Sequence, residues 1–114
     1  MENNGNFCKM EYFGLTSEEI KNIRGVFKKY EQITSAIIYG SRAKGNSKPF
    51  SDIDLSLKGD NLDLTFQQNL EFDLDDLMLP NKFDISVYDK LTNPEFVDHI
   101  NRVGHVFYSS AQEL

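Results

Sequence analysis

The sequence holds one cysteine, two histidines, no surplus of basic residues, and no apolar run approaching the ~18 residues that a bilayer span requires. Each scarcity excludes something. Cys8 cannot form an internal disulfide and has no activating partner in view, which suits a reducing, cytoplasmic setting. His99 and His105 are too isolated to be metal ligands, and His99 reads as a helix-surface residue. The opening MENNGNFCKMEYFG has neither a basic start nor an apolar stretch, so no secretory signal is expected, and no membrane partner either. With 18 acidic against 12 basic residues, the formal charge is −6. Proteins that grip extended nucleic acid present a basic face, so a small, locally neutralised phosphate compound is the better candidate substrate. No repeat, low-complexity tract or linker interrupts the chain. Its 114 residues fit one domain over 1–114, with 1–14 a leader and 109–114 a frayed tail.

What is present orders itself into alternating elements. Thr16 with Glu19 forms a capping box, and Ile20, Ile23, Phe27 and Tyr30 follow at helical spacing, predicting a helix over 17–31. Met10, Tyr12 and Phe13 are expected to pack on the domain. Residues 35–39 (SAIIY) form a buried, β-branched strand that Gly40 stops. Ser41 to Lys44 read as a short helix ended by Gly45-Asn46, and 45–51 as a turn-rich loop containing Pro49. DIDLSL over 52–57 alternates polar and apolar, the period of a strand. Leu62, Phe66, Leu70, Leu74 and Leu77 predict a second amphipathic helix over 62–78. Phe83 to Val87 alternate again as a strand. Asn93-Pro94-Glu95 starts a last helix with a cap, a first-position proline and an acid in the first turn. A short strand over 105–108 closes the chain. The expected fold is α+β, a two-layer α/β arrangement in which helices cover a small mixed sheet.

One stretch carries chemistry. Gly40-Ser41 sits where a strand hands over to a helix, a place where backbone N–H groups receive phosphate. Glycine allows close approach and the serine hydroxyl adds a donor. Arg42 and Lys44 are the neighbouring basic pair, while Lys48 reads as a solvated loop charge. After ten intervening residues Ser41 is followed by Asp52 and Asp54. Positions i and i+2 of a strand face one way, about 6.5–7 Å apart, so both carboxylates face the site while Ile53 and Leu55 face the core. Stacked acids repel unless a cation lies between them, and Mg²⁺ suits carboxylate and phosphate oxygens. Asp84, in phase with Ser86 on the next strand, is the candidate third acid. Two metals about 3.5–4 Å apart, of the kind used for in-line phosphoryl displacement, need such converging carboxylates. The acidic run Glu71, Asp73, Asp75 and Asp76 reads as a solvated helix face.

Glycine-serine, ten residues, Asp-x-Asp and a later strand aspartate resemble the DNA polymerase beta-like nucleotidyltransferase superfamily. LTSEEIKNI, IIYGSRAKG, SDIDLSL, LPNKFDISVYD and NPEFVDHINRVGHVFY extend the likeness, over about 12–108, to its minimal nucleotidyltransferase branch. The resemblance implies the nucleotidyltransferase fold. It also implies triphosphate binding by Gly40 and Ser41 and Mg²⁺ ligation and catalysis by Asp52, Asp54 and Asp84; Arg42 and Lys44 are nucleotide-site candidates by position alone, with a solvated helix face the alternative. ATP is then the substrate. Members of this branch resemble antitoxins that transfer AMP to a tyrosine of a HEPN-domain toxin, which implies a partner protein and a homo- or hetero-oligomer. Two other outcomes remain open: a nucleotide-binding antitoxin that acts by contact alone, and an aminoglycoside-type small-molecule transferase.

Overall fold

The computed structural model describes residues 11–48 and 50–110. Helix α1 (Ser17–Lys28) starts where the sequence demands: Thr16 Oγ1 accepts from Glu19 N at 3.1 Å and Glu19 Oε1 accepts from Thr16 N at 2.9 Å. Each side chain thereby satisfies an orphan amide of the first turn. The helix buries Ile20, Ile23, Val26 and Phe27 and ends three residues before the predicted position, in turns closed by Tyr30 N on Phe27 O and Ile33 N on Tyr30 O.

The end of the expected leader is an ordered hairpin. Strand β1 (Glu11–Tyr12) pairs antiparallel with β2 (Leu15–Thr16) through Phe13 and Gly14, both at positive φ. The Phe13 ring lies 6.0 Å from that of Phe107, and this packing anchors the turn. The leader up to Met10, Pro49, the tail from residue 111 and the side chain of Tyr12 lie outside the described residues, and with them the packing expected of Met10 and Tyr12.

Strands β3 (Ile33–Tyr39), β4 (Ile53–Gly59), β5 (Phe83–Val87) and β6 (His105–Ser109) form one sheet in the order β5-β4-β3-β6. Strand β4 runs parallel to β5, and β3 runs antiparallel to both β4 and β6, so the sheet is mixed as expected. β3 begins two residues early because a bulge between Ile33 and Ser35 carries its pairing on to Gly59. A Cβ on Gly59 would stand 1.9 Å from Gln32 O, so only glycine allows that crossing.

Helix α3 (Leu64–Asp75) starts at the Asp63 cap, whose carboxylate accepts from Phe66 N at 2.9 Å, and buries Phe66, Leu70 and Leu74. Together with α1 it covers the sheet face carrying Ala36, Ile38, Leu55, Leu57, Ile85 and Val87, and this layer is the core. Helix α4 (Pro94–Val103), capped by Asn93, lies against the other face, where the Tyr39 ring meets Phe96 at 5.5 Å and His99 at 6.4 Å. No helix among the described residues is long and apolar enough to cross a membrane.

Candidate active site

The strand periodicity places the site. Ile53, Leu55 and Leu57 point into the core, so Asp54 points to the opposite face. Register sets its neighbours: Tyr39 on β3 pairs with Asp54, and Asp54 pairs with Asp84 on the parallel β5. One row across three strands therefore reads Tyr39, Asp54, Asp84, with strands about 4.8 Å apart. Asp52 stands exposed at the mouth of β4, Asp84 is exposed, and Asp54 between them is half-buried.

Between Tyr39 and the four-residue helix α2 (Ser41–Lys44) the chain turns at Gly40, whose φ of 78° and ψ of −155° belong to a region open almost only to glycine. A Cβ there would lie 2.3 Å from Asp54 Oδ2. Glycine thus permits both the turn and the seating of the carboxylate against the backbone. The first N–H groups of any helix lack an intrahelical acceptor, and no side chain caps α2. A single turn carries little macrodipole, so a phosphate here would be held by individual N–H groups and the Ser41 hydroxyl. Ser41 is half-buried at this turn and Lys44 is exposed at its far end.

Arg42 departs from the expectation of a phosphate ligand. It is 1% exposed, and its guanidinium is spent on backbone oxygens. Nη1 donates to Phe13 O at 2.8 Å, Nη2 to Ser51 O at 2.9 Å, and Nε to Ser51 O and Asp52 O, both at 3.3 Å. It braces the loop that delivers Asp52 and fastens the β1–β2 hairpin beside it. Asn81 also donates to Ser51 O, at 3.2 Å, and Lys48 N donates to Ser51 Oγ at 2.8 Å. Sequence reasoning missed this brace because the carbonyls that receive the guanidinium lie far from Arg42 along the chain.

The electrostatics mark Asp54 as the stressed group. Burial, then the charges of Asp84 and Asp52, push its carboxyl from the ordinary 3.8 up to about 6, with Arg42 pulling the other way. Among the described residues no three acid, histidine or cysteine side chains stand close enough to enclose a cation unaided. The acids form an open array, and this suits Mg²⁺, which keeps water and substrate phosphate oxygens in its shell and seldom takes an all-protein cage. Asp54 and Asp84 would hold it, with Asp52 at the rim.

The neighbouring row was passed over in the sequence. Ser56 pairs with Ser86, and Ser86 Oγ donates to Ser56 Oγ at 3.1 Å. The visible signal was the repeated Asp-x-Ser, at Asp54-Leu55-Ser56 and Asp84-Ile85-Ser86. Tyr39, buried at the end of β3, lies in the field of Asp84 and Asp54; burial, the largest influence, and these two charges raise its pKa, while Ser86 nearby lowers it.

The family model described as polymerase beta, nucleotidyltransferase matches residues 21–113. A search of curated proteins by sequence finds no match. Among solved structures, a toxin–antitoxin with AMP-PNP superposes with a TM-score of 0.67 at 16% identity, over 82% of this chain and 76% of that one. A tri-AMPylated HEPN toxin in complex with an MNT antitoxin, from Shewanella oneidensis, gives 0.57 at 14% identity, over 83% and 76%. The toxin–antitoxin MntA–HpeT gives 0.62 at 14%, over 83% and 75%. At these identities the likeness establishes the shared fold.

Proposed function

The chain belongs to the polymerase beta nucleotidyltransferase family, and from that premise we propose that it is a Mg²⁺-dependent adenylyltransferase that transfers AMP from ATP to a tyrosine of a HEPN-type toxin. The observation that carries the reading is the row Asp54–Asp84 set directly against the Gly40–Ser41 turn. It brings cation ligands and phosphate donors to one spot. The partner reading draws its support from the toxin–antitoxin structures that share the fold.

In this reading the Ser41 hydroxyl and the backbone at Gly40–Ser41 hold the triphosphate. Lys44, exposed at the end of α2, approaches its outer oxygens. Bound Mg²⁺ supplies charge neutralisation on the phosphate oxygens and on the leaving group. The acceptor hydroxyl oxygen attacks the α-phosphorus in line, the bond to the bridging oxygen breaks, and pyrophosphate leaves with that electron pair. Asp84, exposed on the edge strand where an acceptor can approach, takes the hydroxyl proton. Asp54 and Asp84, with Asp52 at the rim, would keep the cation in register with the α-phosphate.

The test is to incubate the protein with ATP, Mg²⁺ and the product of the adjacent gene, then weigh both by mass spectrometry. An AMP-sized gain on the partner that disappears in Asp54→Ala supports transfer. Full neutralisation of the partner by Asp54→Ala with no mass change would favour an antitoxin that acts by contact alone.

A further inference from the structure

The ladder between β4 and β5 holds Asp54 and Asp84 in place, but it does not reach Asp52. That residue lies one position before β4, and the pairing of the strand begins at Ile53. An exposed acid at the rim of the site therefore takes its position from side chains that grip its backbone. Arg42 is the chief of these. Its Nε donates to Asp52 O at 3.3 Å and its Nη2 to Ser51 O at 2.9 Å. Arg42 also follows Ser41 directly in α2, so its backbone continues the Gly40–Ser41 turn while its side chain fixes the acid at the rim.

The far end of the guanidinium is set by the β1–β2 hairpin. Nη1 donates to Phe13 O at 2.8 Å, and the arginine is enclosed, with 1% of its surface exposed. Phe13 is anchored in turn, its ring 6.0 Å from that of Phe107 and 5.9 Å from that of His105 on β6. Gly14, at φ 72°, leaves the guanidinium its space: a Cβ there would stand 2.9 Å from Arg42 Nη1 and 2.6 Å from Ser47 Oγ. The turn is moulded around the arginine. It also precedes residues 21–113, the part of the chain that the family model matches.

We infer that the Phe13–Gly14 turn, acting through the Arg42 guanidinium, positions Asp52 for the cation, which makes this N-terminal hairpin a working part of the cation–triphosphate site. The inference rests on the proposed reading of Asp52 as the acid at the rim of that site. Neither the hairpin nor the guanidinium touches cation or substrate; both are positioning elements that act through Asp52. Arginine suits the role because its planar fork donates in several fixed directions at once, to the hairpin on one side and the loop on the other. A lysine ammonium is a single point of charge and would lose one of the two.

The test compares wild type, Gly14→Ala, Asp52→Ala and the double variant. Binding of Mn²⁺ together with AMP-PNP is followed by electron paramagnetic resonance, with thermal melting to confirm that each variant is folded. Gly14→Ala leaves every charge of the site in place. It is expected to bind Mn²⁺ with nucleotide about tenfold more weakly, the usual worth of a group that orients a metal ligand. Asp52→Ala should weaken binding at least as much, and the double variant no further, because the hairpin acts only through Asp52. A merely structural role for the hairpin would weaken the Asp52→Ala protein as well. Phe13→Ala, which removes the ring anchor and keeps the carbonyl, is the second probe and should weaken binding in the same direction; it carries the test if Gly14→Ala does not fold. Binding as tight as wild type in the folded hairpin variants, or effects that multiply in the double variant, would overturn the inference while leaving Asp54 and Asp84 as ligands. Failure of the wild-type protein to bind Mn²⁺ with nucleotide would overturn both.

Discussion

Asp54→Asn is expected to abolish nucleotidyl transfer and, at neutral pH, to stabilise the protein. The carboxyl of Asp54 is pushed from 3.8 to about 6, chiefly by burial and then by the charges of Asp84 and Asp52. Each tenfold change in proton affinity corresponds to about 1.4 kcal/mol, so the raised value sets an upper bound of about 3 kcal/mol on the cost of ionising this group in the fold. Asp54 is half-buried and solvent screens part of that cost; about 1 kcal/mol is the magnitude expected in the folding equilibrium. The sign follows from proton binding. Between about pH 4 and pH 6 the folded chain keeps a proton on Asp54 that the unfolded chain has released, so wild-type stability falls as pH rises through that window. Asparagine does not titrate and is close in shape. Without divalent cations, the variant should match wild type near pH 4 and exceed it by about 1 kcal/mol at pH 7.5, about 4 °C in melting temperature for a chain of this size. Urea unfolding and thermal melting at the two pH values measure this. A variant less stable than wild type at pH 7.5, or a gain equal at both pH values, would refute the reasoning that charge stress at this carboxylate is built into the fold.

Gly40→Ala should cost about 2 kcal/mol in urea unfolding, since the new Cβ meets Asp54 Oδ2 at 2.3 Å and the backbone conformation suits only glycine. Arg42→Met should cost about 3 kcal/mol, because the carbonyls of Phe13 and Ser51 lose a buried charged donor; hydrogen exchange should locate the opening in the loop before Asp52. Ser41→Ala should raise the KM for the triphosphate about tenfold, the worth of one hydrogen bond to a charged oxygen, with the melting temperature unchanged.

Much of this site is local in the chain and so was legible. Asp54 falls on β4 with Asp52 one residue before its start, and the alternation of DIDLSL sets Asp54 opposite Ile53 and Leu55. Asp84 lies thirty residues beyond Asp54, yet its strand repeats the Asp-x-Ser phase of β4, and parallel pairing sets the two acids side by side. Arg42 was misread because its burial is decided by carbonyls at Phe13, Ser51 and Asp52, which no periodicity brings together. The β1–β2 hairpin was missed because its turn uses a phenylalanine at positive φ, a conformation that sequence preference argues against and packing on Phe107 enforces. The burial of Tyr39 follows from the strand pattern, but its place beside Asp54 is set by the register of β3 on β4, which neither strand encodes alone.

The central claim is that Asp54 and Asp84 hold a divalent cation that in turn holds a triphosphate against Gly40–Ser41. Calorimetric titration of AMP-PNP into the protein, with and without Mg²⁺, tests it most directly. The account predicts binding that requires Mg²⁺ and is lost in Asp84→Ala while that variant stays folded. Equal binding with and without Mg²⁺, or binding undiminished in Asp84→Ala, would contradict it.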